Sequence, residues 1–461
     1  MGIVVQKFGG TSVGNGERVR NVAQIVAASF RKGPVIAVVS AMSGGVKSEG
    51  TTSLILEASR AATQGEPFQE GLKQIEDDHL AELETAVSTP GLRAELEAFV
   101  REELTRLSNL LEAIAVLREL SPRSQDLLLA TGERLSARLL AASLQDSGTE
   151  AVYTDLSDVV DEGEREIDPA FFTRLQGKMA ERCTPQPDAV TVVTGFFGIA
   201  PGGLLHAVGR GYSDFTAAMI AAGLGRKQVE ELQVWKEVDG IFTADPRRVP
   251  TARVLARISP TEAAELTYFG SEVLHPFTME RVVSADIPIR IKNTFKPESD
   301  GTLILPQREK PAARVTAVTA KRGITIVTVQ SNRMYNAYGF LAGVFQALAE
   351  MGVVVDLVST SEVSVSFTLD REDGLDRLRG GLERFGTVDV ETGRAILSMV
   401  GEGMKFVPGT AGQMFSALGG AGVNIEMISQ GASEINISCV IKEEDTEAGL
   451  RAVHRSFLEA P

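Results

Sequence analysis

Glycine clusters beside charged and hydroxyl side chains are the parts of this sequence best suited to chemistry. The first follows a β-branched run directly and reads Lys7-Phe8-Gly9-Gly10-Thr11-Ser12. A strand that ends in glycines and leads into a helix exposes backbone N–H groups, which a phosphate can approach closely. A lysine at that point can follow the charge on a transferred phosphoryl group, although a lysine before two glycines is most often part of an ordinary loop.

Three further clusters follow apolar runs that are predicted as strands. They are Ser40-Ala41-Met42-Ser43-Gly44-Gly45, then Thr194-Gly195-Phe196-Phe197-Gly198 with Gly209-Arg210-Gly211-Tyr212-Ser213-Asp214, and finally Trp235-Lys236-Glu237 through Asp245-Pro246-Arg247. Ligands bind beyond the carboxyl ends of parallel strands, so the cluster at Lys7 and the cluster that begins at Ser40 are expected to share that edge. An arginine between glycines suits a carboxylate or phosphate, whereas Ser213 or Asp214 can equally cap a helix. The last cluster fits a nucleotide wall, with core packing and surface charge as the plainer alternative.

Several other kinds of site are excluded. Gly10-Thr11-Ser12-Val13-Gly14 has the form of a hydrolase nucleophile, but the eleven residues before Ser12 are too few for the strands that would support it. The chain has no Gly-x-x-x-x-Gly-Lys-Ser/Thr sequence, so it is not a P-loop enzyme. With two cysteines and four scattered histidines, neither a disulfide framework nor a metal held by the protein is expected.

The elements that must position these clusters alternate along the first 300 residues. Strands are predicted at 3–7, 35–39, 152–153, 190–193, 232–235 and 287–291, and helices at 17–32, 214–222, 260–268 and 278–284, with a mostly helical region at 52–145. This alternation predicts an α/β fold with a largely parallel sheet covered on both faces. Residues 297–311 are rich in proline and charge and are predicted to form a linker.

The C-terminal part contains an internal repeat. A shift of 70 residues superimposes Gly339, Phe345, Leu348 and Gly352 on Gly409, Phe415, Leu418 and Gly422, and a two-residue insertion then aligns Ser361-Glu362 with Ser433-Glu434. Each copy is predicted as the β-α-β-β-α-β unit of a ferredoxin-like module. For the first copy, elements are predicted at 324–329, 339–351, 353–357, 363–369 and 374–382. The two units either share a sheet or pack side by side.

Composition limits the classes of partner. Lys and Arg total 46 and Asp and Glu total 61, a net charge of −15, so the chain as a whole repels nucleic acid and anionic membranes. Hydrophobic residues make up 43%, enough for large buried cores. The N-terminus begins as a strand and no run of 18 apolar residues occurs, so a soluble cytoplasmic protein is expected.

The order of the motifs resembles the aspartate kinase family. The similar segments are Lys7 through Val13, Gly209-Arg210-Gly211-Tyr212-Ser213-Asp214, Val238-Asp239-Gly240-Ile241-Phe242-Thr243-Ala244-Asp245-Pro246-Arg247 and Val273-Leu274-His275-Pro276, and the repeat resembles a tandem pair of ACT modules. The resemblance covers essentially the whole chain. It implies an α/β amino-acid kinase fold, a mostly parallel sheet sandwiched by helices, followed by two ferredoxin-like βαββαβ ACT modules. The implied division is residues 1–300 for the catalytic domain, 301–313 for a linker, and 314–391 and 392–461 for the ACT modules.

The resemblance also implies a reaction and its residues. The reaction is ATP-dependent phosphorylation of the side-chain carboxylate of L-aspartate to 4-phospho-L-aspartate, the entry step to lysine, threonine, methionine and isoleucine biosynthesis, with Mg²⁺ carried by the nucleotide. The implied ATP contacts are Lys7, Gly9, Gly10, Lys236, Glu237, Phe242 and Arg247. The implied substrate contacts are Thr52 (with Thr51 as the alternative), Glu133, Arg210, Gly211, Tyr212 and Ser213. The implied catalytic residues are Lys7, Arg210 and Asp214.

A feedback site is implied in the first ACT module, with lysine or threonine as effector. The residues that resemble it are Met334, Ala337, Gly339, Phe340, Leu341, Val355, Asp356, Ser361 and Glu362. The helix start near Gly339 offers free N–H groups to a carboxylate, and Asp356 and Glu362 offer carboxylates to an ammonium group. Glu362 recurs as Glu434, so both can instead serve the fold of the module. ACT modules commonly pair between chains, which implies a homodimer at least.

The sequence also departs from the family pattern. Glu272 stands where many members have a lysine that reaches the nucleotide, and Lys236 is the candidate to supply that charge. The pattern here is more similar to a fungal-type branch. Two alternatives remain: a kinase of another acidic amino acid such as glutamate, and a catalytically silent amino-acid sensor in which the ACT pair is the working part. A silent copy could lose Lys7, Glu133, Arg210 and Asp214 freely, so their presence argues against the sensor.

Overall fold

The structure, a computed structural model, describes residues 2–44, 49–161, 163–164, 166–168, 170–209, 211–268, 274, 276–306, 314–331, 339–405, 407–432 and 435–459. The strands are β1 Ile3–Phe8, β2 Val35–Val39, β3 Ala151–Thr154, β4 Val190–Thr194, β5 Val229–Lys236, β6 Arg257–Ile258, β7 Ile289–Asn293, β8 Thr302–Ile304, β9 Ala317–Gln330, β10 Val358–Thr360, β11 Ser364–Leu369, β12 Thr387–Val400, β13 Met427–Gln430 and β14 Asn436–Lys442. The helices are α1 Gly16–Phe30, α2 Thr51–Gln64, α3 Gln69–Ala86, α4 Pro90–Leu117, α5 Pro122–Asp146, α6 Phe171–Arg182, α7 Leu204–Ala207, α8 Tyr212–Leu224, α9 Pro260–Tyr268, α10 Pro276–Ser284, α11 Phe340–Glu350, α12 Leu375–Leu382, α13 Thr410–Gly420 and α14 Thr446–His454.

The chain divides into two compact units. One comprises Met1–Ile241 with Val273–Gln307, and the other comprises Phe242–Glu272 with Arg308–Pro461. The units are therefore not continuous in sequence, because residues 242–272 group with the C-terminal part. The linear division at residues 300, 313 and 391 stays a prediction.

A mostly parallel sheet organises the first unit. Its strand order is β3-β4-β2-β1-β5-β7-β8, and each neighbouring pair is parallel except β7 with β8. Every residue of β2, Val-Ile-Ala-Val-Val, is buried, as expected for a strand covered on both faces. In this register Lys7 lies between Val38 and Val234, so the carboxyl ends of β1, β2 and β5 meet at one edge. The predicted α/β fold with its mostly parallel sheet is confirmed.

The region predicted as mostly helical forms α2 to α5, and α5 is the most buried of these four. Ser121 caps its start by accepting a hydrogen bond from the N–H of Ser124, and Pro122 occupies the first turn. Almost every residue from 128 to 144 is buried. The buried polar side chains of α5, Glu133 among them, are therefore held rigidly.

Three elements of the first unit have no counterpart among the predicted elements: α6, α7 and β8. Residues 302–304, inside the predicted linker, form β8 and pair antiparallel with β7. Gly301 makes this turn possible, since its φ is +67° and a Cβ there would lie 1.9 Å from the carbonyl oxygen of Ile291. The composition of this segment predicted a linker. It forms a strand because Gly301 allows the turn and because the edge of β7 is open to pairing.

One antiparallel sheet organises the second unit, in the order β10-β11-β9-β12-β14-β13. The long strands β9 and β12 pair with each other from Ala317 opposite Val400 to Gln330 opposite Thr387. Strand β11 pairs with the C-terminal half of β9, and β14 pairs with the C-terminal half of β12. The second module thus takes its last strand from residues ahead of the first module, so the two modules interleave within one sheet.

The tandem modules predicted from the internal repeat are confirmed. Helix α11 begins at Phe340 and α13 at Thr410, so equivalent elements start 410 − 340 = 70 residues apart. Separate apolar cores form under each helix pair, one around Val344, Leu348 and Phe367 and one around Met414, Leu418 and Ile437. One difference concerns the strand predicted at 353–357, which forms instead at 358–360 as β10.

Within the residues that the structure describes, no helix combines the length and the apolar character needed to cross a bilayer.

Candidate functional site

Two lysines and one aspartate form an ionic cluster at the carboxyl edge of the parallel sheet, with Lys7 and Asp214 buried and Lys236 partly exposed. Lys7 Nζ lies 2.7 Å from Asp214 Oδ1, and Lys236 Nζ lies 3.7 Å from Asp214 Oδ2. Lys7 and Lys236 come from the ends of neighbouring strands β1 and β5, and Asp214 from the first turn of α8. Burial alone would raise the pKa of Asp214, but the two ammonium groups outweigh it and hold that pKa below its ordinary value. We call these three residues the lysine–aspartate cluster.

A second buried pair lies between α5 and the first turn of α8. The Tyr212 hydroxyl donates a hydrogen bond of 2.7 Å to Glu133 Oε1. Burial raises the pKa of Glu133 to about 7, although the bond from Tyr212 opposes that rise. The other oxygen, Glu133 Oε2, is buried and finds no hydrogen-bond partner among the described residues. A carboxylate with one free buried oxygen is suited to receive a cationic group, such as the ammonium of an amino acid.

Close backbone packing explains the glycines at this edge. A Cβ on Gly10 would lie 2.5 Å from the carbonyl oxygen of Ala41, so the loop after β1 can touch the loop after β2 only because residue 10 is glycine. A Cβ on Gly132 would lie 2.7 Å from the Cβ of Ala41, which brings α5 against that same loop. These glycines therefore position Glu133 beside the strand ends. Gly211 has a φ of +106° and forms the N-cap of α8, a conformation that favours glycine.

Hydroxyl groups join the strand ends to one another. Ser40, just after β2, shares a 2.7 Å hydrogen bond with Ser213 on α8. Ser12 shares a buried 2.9 Å hydrogen bond with Thr294, whose backbone N–H donates to the carbonyl of Lys236. Neither bond was anticipated from the sequence, because each joins residues more than 170 positions apart and no local pattern marks them.

The two candidates for a substrate-contacting threonine occupy different places. Thr51 is buried at the start of α2, where its N–H donates to the carbonyl of Met42. The side chain of Thr52 hydrogen-bonds the Tyr212 hydroxyl and so lies next to the Glu133 pair. The structure thus brings Thr52, Glu133 and Tyr212 together, and the substrate role of Thr52 stays a prediction.

The residues predicted to bind ATP fall into both compact units. Lys7, Gly9, Gly10, Lys236 and Glu237 belong to the first unit. Phe242 and Arg247 belong to the second, where Phe242 forms a β-bridge with Val254 and the guanidinium of Arg247 binds Asp245 at 3.0 Å. Arg247 is otherwise largely exposed, and the role of both residues stays a prediction.

The residues predicted for the feedback site lie in the first module, and Asp356 is already engaged there. Its carboxylate accepts a 2.9 Å hydrogen bond from the Tyr268 hydroxyl and lies 3.3 Å from Lys321 Nζ. Lys321 also lies 3.0 Å from Asp370. Gly339, with a φ of +87°, forms the N-cap of the helix that begins with Phe340 and Leu341. Val355 lies half-buried against the core of this module.

Ser361 has a structural task, since its hydroxyl accepts hydrogen bonds from the N–H groups of Val363 and Ser364. Glu362 is exposed in the same turn. Several other predicted residues lie outside the described part of the chain: Arg210, Glu272, His275, Met334, Ala337 and Glu434. The roles assigned to them stay predictions.

Asp126 is a functional candidate that the sequence did not reveal. It is 1% exposed, lies on α5 two turns before Glu133, and accepts hydrogen bonds from the backbone N–H groups of Ala200 and Leu204. The sequence offered only an aspartate near the start of a helix that begins Ser-Pro-Arg-Ser-Gln-Asp. Its burial, which is rare for an aspartate without partners, is seen only in the structure.

The described residues contain no group of three or more histidine, cysteine, aspartate or glutamate side chains that could hold a metal ion.

Comparison with known proteins places this geometry in a family. Residues 2–293 match the amino acid kinase family, and residues 327–377 and 397–457 match an ACT domain. The aspartokinase of Schizosaccharomyces pombe is 45% identical to the chain over 99% of this chain and 93% of its own length, and that of Saccharomyces cerevisiae is 44% identical over 99% and 92%. Among solved structures, E. coli aspartokinase III in complex with aspartate and ADP is 31% identical, with a TM-score of 0.77 over 99% of this chain and 100% of that one.

The first unit, built on a mostly parallel sheet, thus has the fold of the amino acid kinase family. Identity of 44–45% to the yeast aspartokinases over 99% of this chain indicates which branch of that family the chain belongs to. The chain belongs to the amino acid kinase family and, within it, to the aspartokinases.

Proposed function

We propose that the chain transfers the γ-phosphoryl group of ATP to the side-chain carboxylate of L-aspartate and releases 4-phospho-L-aspartate and ADP. The observation that carries this proposal is the lysine–aspartate cluster set beside the Glu133–Tyr212 pair at one edge of the sheet. The first group supplies positive charge for phosphate, and the second supplies a carboxylate for the substrate ammonium. Their common origin in the first turn of α8, through Tyr212 and Asp214, ties the two halves of the site together.

The chemistry requires positioning and charge neutralisation rather than a covalent nucleophile. A carboxylate acceptor is already ionised at neutral pH, so no side chain has to remove a proton from it. In this proposal Lys7 and Lys236, which both pair with Asp214, neutralise the phosphate oxygens as charge moves from ATP to the acceptor. Asp214 holds both ammonium groups in place, which fixes their direction before the nucleotide binds.

Mg²⁺ fits this site only as a companion of the nucleotide. Asp214, the carboxylate closest to Lys7 and Lys236, is occupied by those two cations and is a poor metal ligand. The ion supplies neutralisation of the β- and γ-phosphate charges when it is bound, and the phosphate oxygens are the hard oxygen ligands it prefers. The related E. coli enzyme is described in complex with aspartate and ADP, which supports the same pair of ligands here.

Substrate binding follows from the free oxygen of Glu133. We assign the α-ammonium of aspartate to Glu133 Oε2, the oxygen that Tyr212 leaves open, on a carboxyl that the backbone N–H of Ala41 also faces. Tyr212 holds the opposite oxygen of that carboxylate, and Thr52 in turn hydrogen-bonds the Tyr212 hydroxyl, so the pair keeps one orientation. Arg210, by resemblance, pairs with a carboxylate of the substrate. Gly211 and Ser213 flank Tyr212 and place the start of α8.

Regulation and cellular role form the finer part of the proposal. The E. coli relative has been described in complex with lysine and aspartate in a T-state, which supports lysine as an effector of this chain, and threonine is the alternative that the family resemblance implies. Asp356 is the side chain proposed to meet the effector ammonium. The reaction would be the entry step to lysine, threonine, methionine and isoleucine biosynthesis in the cytoplasm, carried out by a homo-oligomer joined through the ACT modules.

A single assay separates this function from its alternatives. Purified protein is incubated with Mg-ATP and either aspartate or glutamate, and hydroxylamine converts any acyl phosphate to a hydroxamate. We expect aspartyl hydroxamate together with ADP. Glutamyl hydroxamate alone would identify a kinase of another acidic amino acid. Formation of neither product, with lysine or threonine still bound in a calorimeter, would identify a silent sensor.

A further inference from the structure

Residues 195–209, which include the short helix α7, form a connection that is rich in glycine. Four of its glycines, Gly198, Gly202, Gly203 and Gly209, have φ values between +78° and +113°. Glycine has more conformations in the unfolded chain than any other residue, so ordering this segment costs more entropy than ordering an average loop. We call residues 195–209 the glycine loop. It connects β4 to the residues just before α8, which carries Tyr212 and Asp214.

The glycine loop is attached at its start by hydroxyl bonds. Thr216 donates a 2.5 Å hydrogen bond to the carbonyl of Gly195, and Thr194 donates one of 2.9 Å to the carbonyl of Phe196. These contacts hold the first two residues of the loop against β4 and α8. They do not reach its middle, which contains three of the four glycines with positive φ.

Asp126 holds that middle part. Its Oδ1 accepts the N–H of Leu204 at 3.0 Å, and its Oδ2 accepts the N–H groups of Leu204 at 3.0 Å and Ala200 at 3.2 Å. Gly203 packs against the same helix, since a Cβ there would lie 3.0 Å from the Cβ of Pro122. Hydrogen bonds to an ionised, buried carboxylate are about twice as strong as those between neutral groups. The middle of the loop is therefore attached to the first turns of α5.

The helix to which the loop is attached also carries the proposed substrate carboxylate. Glu133 follows Asp126 by seven residues, which is two turns on the same face of α5 and about 10 Å along its axis. The loop in turn leads into Tyr212, which donates to Glu133. Asp126 thus closes a ring of contacts that runs from α5 through the glycine loop to the start of α8 and back to α5.

We propose that Asp126 is a positioning residue for aspartate: it ties the glycine loop to the helix that carries Glu133 and so sets the substrate-binding face before aspartate arrives. This role rests on the proposed function. Without the Asp126 carboxylate, the glycine loop is detached from α5 in part of the molecules. The apparent affinity for aspartate then falls in proportion to the fraction of molecules in which the loop is attached. We assign the ATP phosphates to Lys7 and Lys236 on β1 and β5. The affinity for ATP is therefore expected to depend little on the glycine loop.

The test compares Asp126→Ala and Asp126→Asn with the unchanged full-length chain. For Asp126→Ala we expect the KM for aspartate to rise roughly tenfold or more, with the KM for ATP within about twofold. Asp126→Asn keeps one acceptor oxygen and should give a smaller rise in the same direction. Hydrogen–deuterium exchange of the amides around Ala200 and Leu204, measured without ligands, should quicken in the same order.

Asp146 provides a matched control on the same helix. Its carboxylate accepts the backbone N–H groups of Ser88 and Thr89, each at 2.8 Å, at the far end of α5. Asp146→Asn, like Asp126→Asn, takes one acceptor oxygen away from a pair of backbone N–H groups, and it should lower the melting temperature without changing either KM.

The outcomes separate the proposals. Unchanged exchange of the glycine loop in both Asp126 variants would overturn the attachment itself. Faster exchange with an unchanged KM for aspartate would overturn the positioning role. An equal rise in both KM values, or an equal effect of Asp146→Asn, would show a general structural role and overturn it as well. Absence of aspartyl hydroxamate from the unchanged chain would instead overturn the proposed function, and with it the substrate that Asp126 is proposed to position.

Discussion

Replacing Glu133 with glutamine is expected to make the stability of the protein less dependent on pH and, at the same time, to weaken the use of aspartate. Burial raises the pKa of Glu133 to about 7 from an ordinary value of 4.5, so the folded protein holds this proton more tightly than the unfolded chain does. The stabilisation from this proton is complete below the ordinary pKa and is lost as the pH rises through the folded pKa. Near pH 5 most of it remains, and at pH 8 it is gone.

The size of the effect follows from the two pKa values. Between pH 5 and pH 8 the unchanged protein should lose about 2.5 kcal/mol of unfolding free energy through this one group, a loss that Glu133→Gln does not suffer. The unit that contains Glu133 comprises residues 1–241 and 273–307. At about 2.1 cal/mol/K per residue its unfolding entropy is near 0.6 kcal/mol/K, so the difference corresponds to about 4 °C.

The assay is a pair of thermal melts at each pH. The melting temperature of Glu133→Gln, minus that of the unchanged protein, should be about 4 °C larger at pH 8 than at pH 5. Burying the glutamine amide without partners for its N–H groups also lowers the melting temperature of the variant. This cost is the same at both pH values, so it cancels when the two melting differences are subtracted. The exposed residue Glu97 on α4 gives the control, and Glu97→Gln should show no such dependence on pH.

Activity should change in the opposite direction to stability. A neutral amide cannot pair with the ammonium of aspartate, so kcat/KM for aspartate should fall at least tenfold in Glu133→Gln at pH 8 while the KM for ATP changes little. In the unchanged enzyme, kcat/KM for aspartate should rise with pH up to about 7 as Glu133 ionises. A melting difference that is the same at both pH values would refute the raised pKa of Glu133 on which this prediction rests.

Three further predictions concern phosphate, packing and regulation. Lys7→Ala should lower kcat by about 10²- to 10³-fold with a modest change in the KM for aspartate, measured by steady-state kinetics, and near-normal kcat would contradict the role of this lysine. Gly132→Ala should lower the melting temperature, since its Cβ meets another Cβ at 2.7 Å, whereas Gly177→Ala, in a helix with nothing within 4 Å, should raise it slightly. Asp356→Asn should weaken inhibition by lysine or threonine at least tenfold while kcat is kept. Asp370→Asn, which changes the other carboxylate at the same lysine, should leave inhibition nearly intact, and equal loss in both variants would argue against a specific effector contact.

The order of the elements was predictable because local physics sets it. The run at 35–39 is apolar at every position and became a strand buried at every position, and the stretch at 52–145 became helices α2 to α5. The 70-residue repeat gave the tandem modules, since each copy carries its own apolar pattern. The predictions failed where burial depends on distant partners: β8 formed within a predicted linker because the edge of β7 was free to pair, and β10 formed five residues later than predicted.

The candidate site divides in the same way. The sequence by itself placed Lys7, Lys236 and Asp214 in glycine-bordered segments near strand ends. The order of those segments resembled one family, and that resemblance singled out Glu133 within the helical stretch 52–145. Only the tertiary structure decided that Asp214 lies between two lysines, that Tyr212 occupies one oxygen of Glu133 and leaves the other without a described partner, and that Asp126 holds the glycine loop. The physical reason is that a motif records local backbone chemistry, whereas a pKa or an ion pair depends on the burial and distance of groups that lie far apart in the chain.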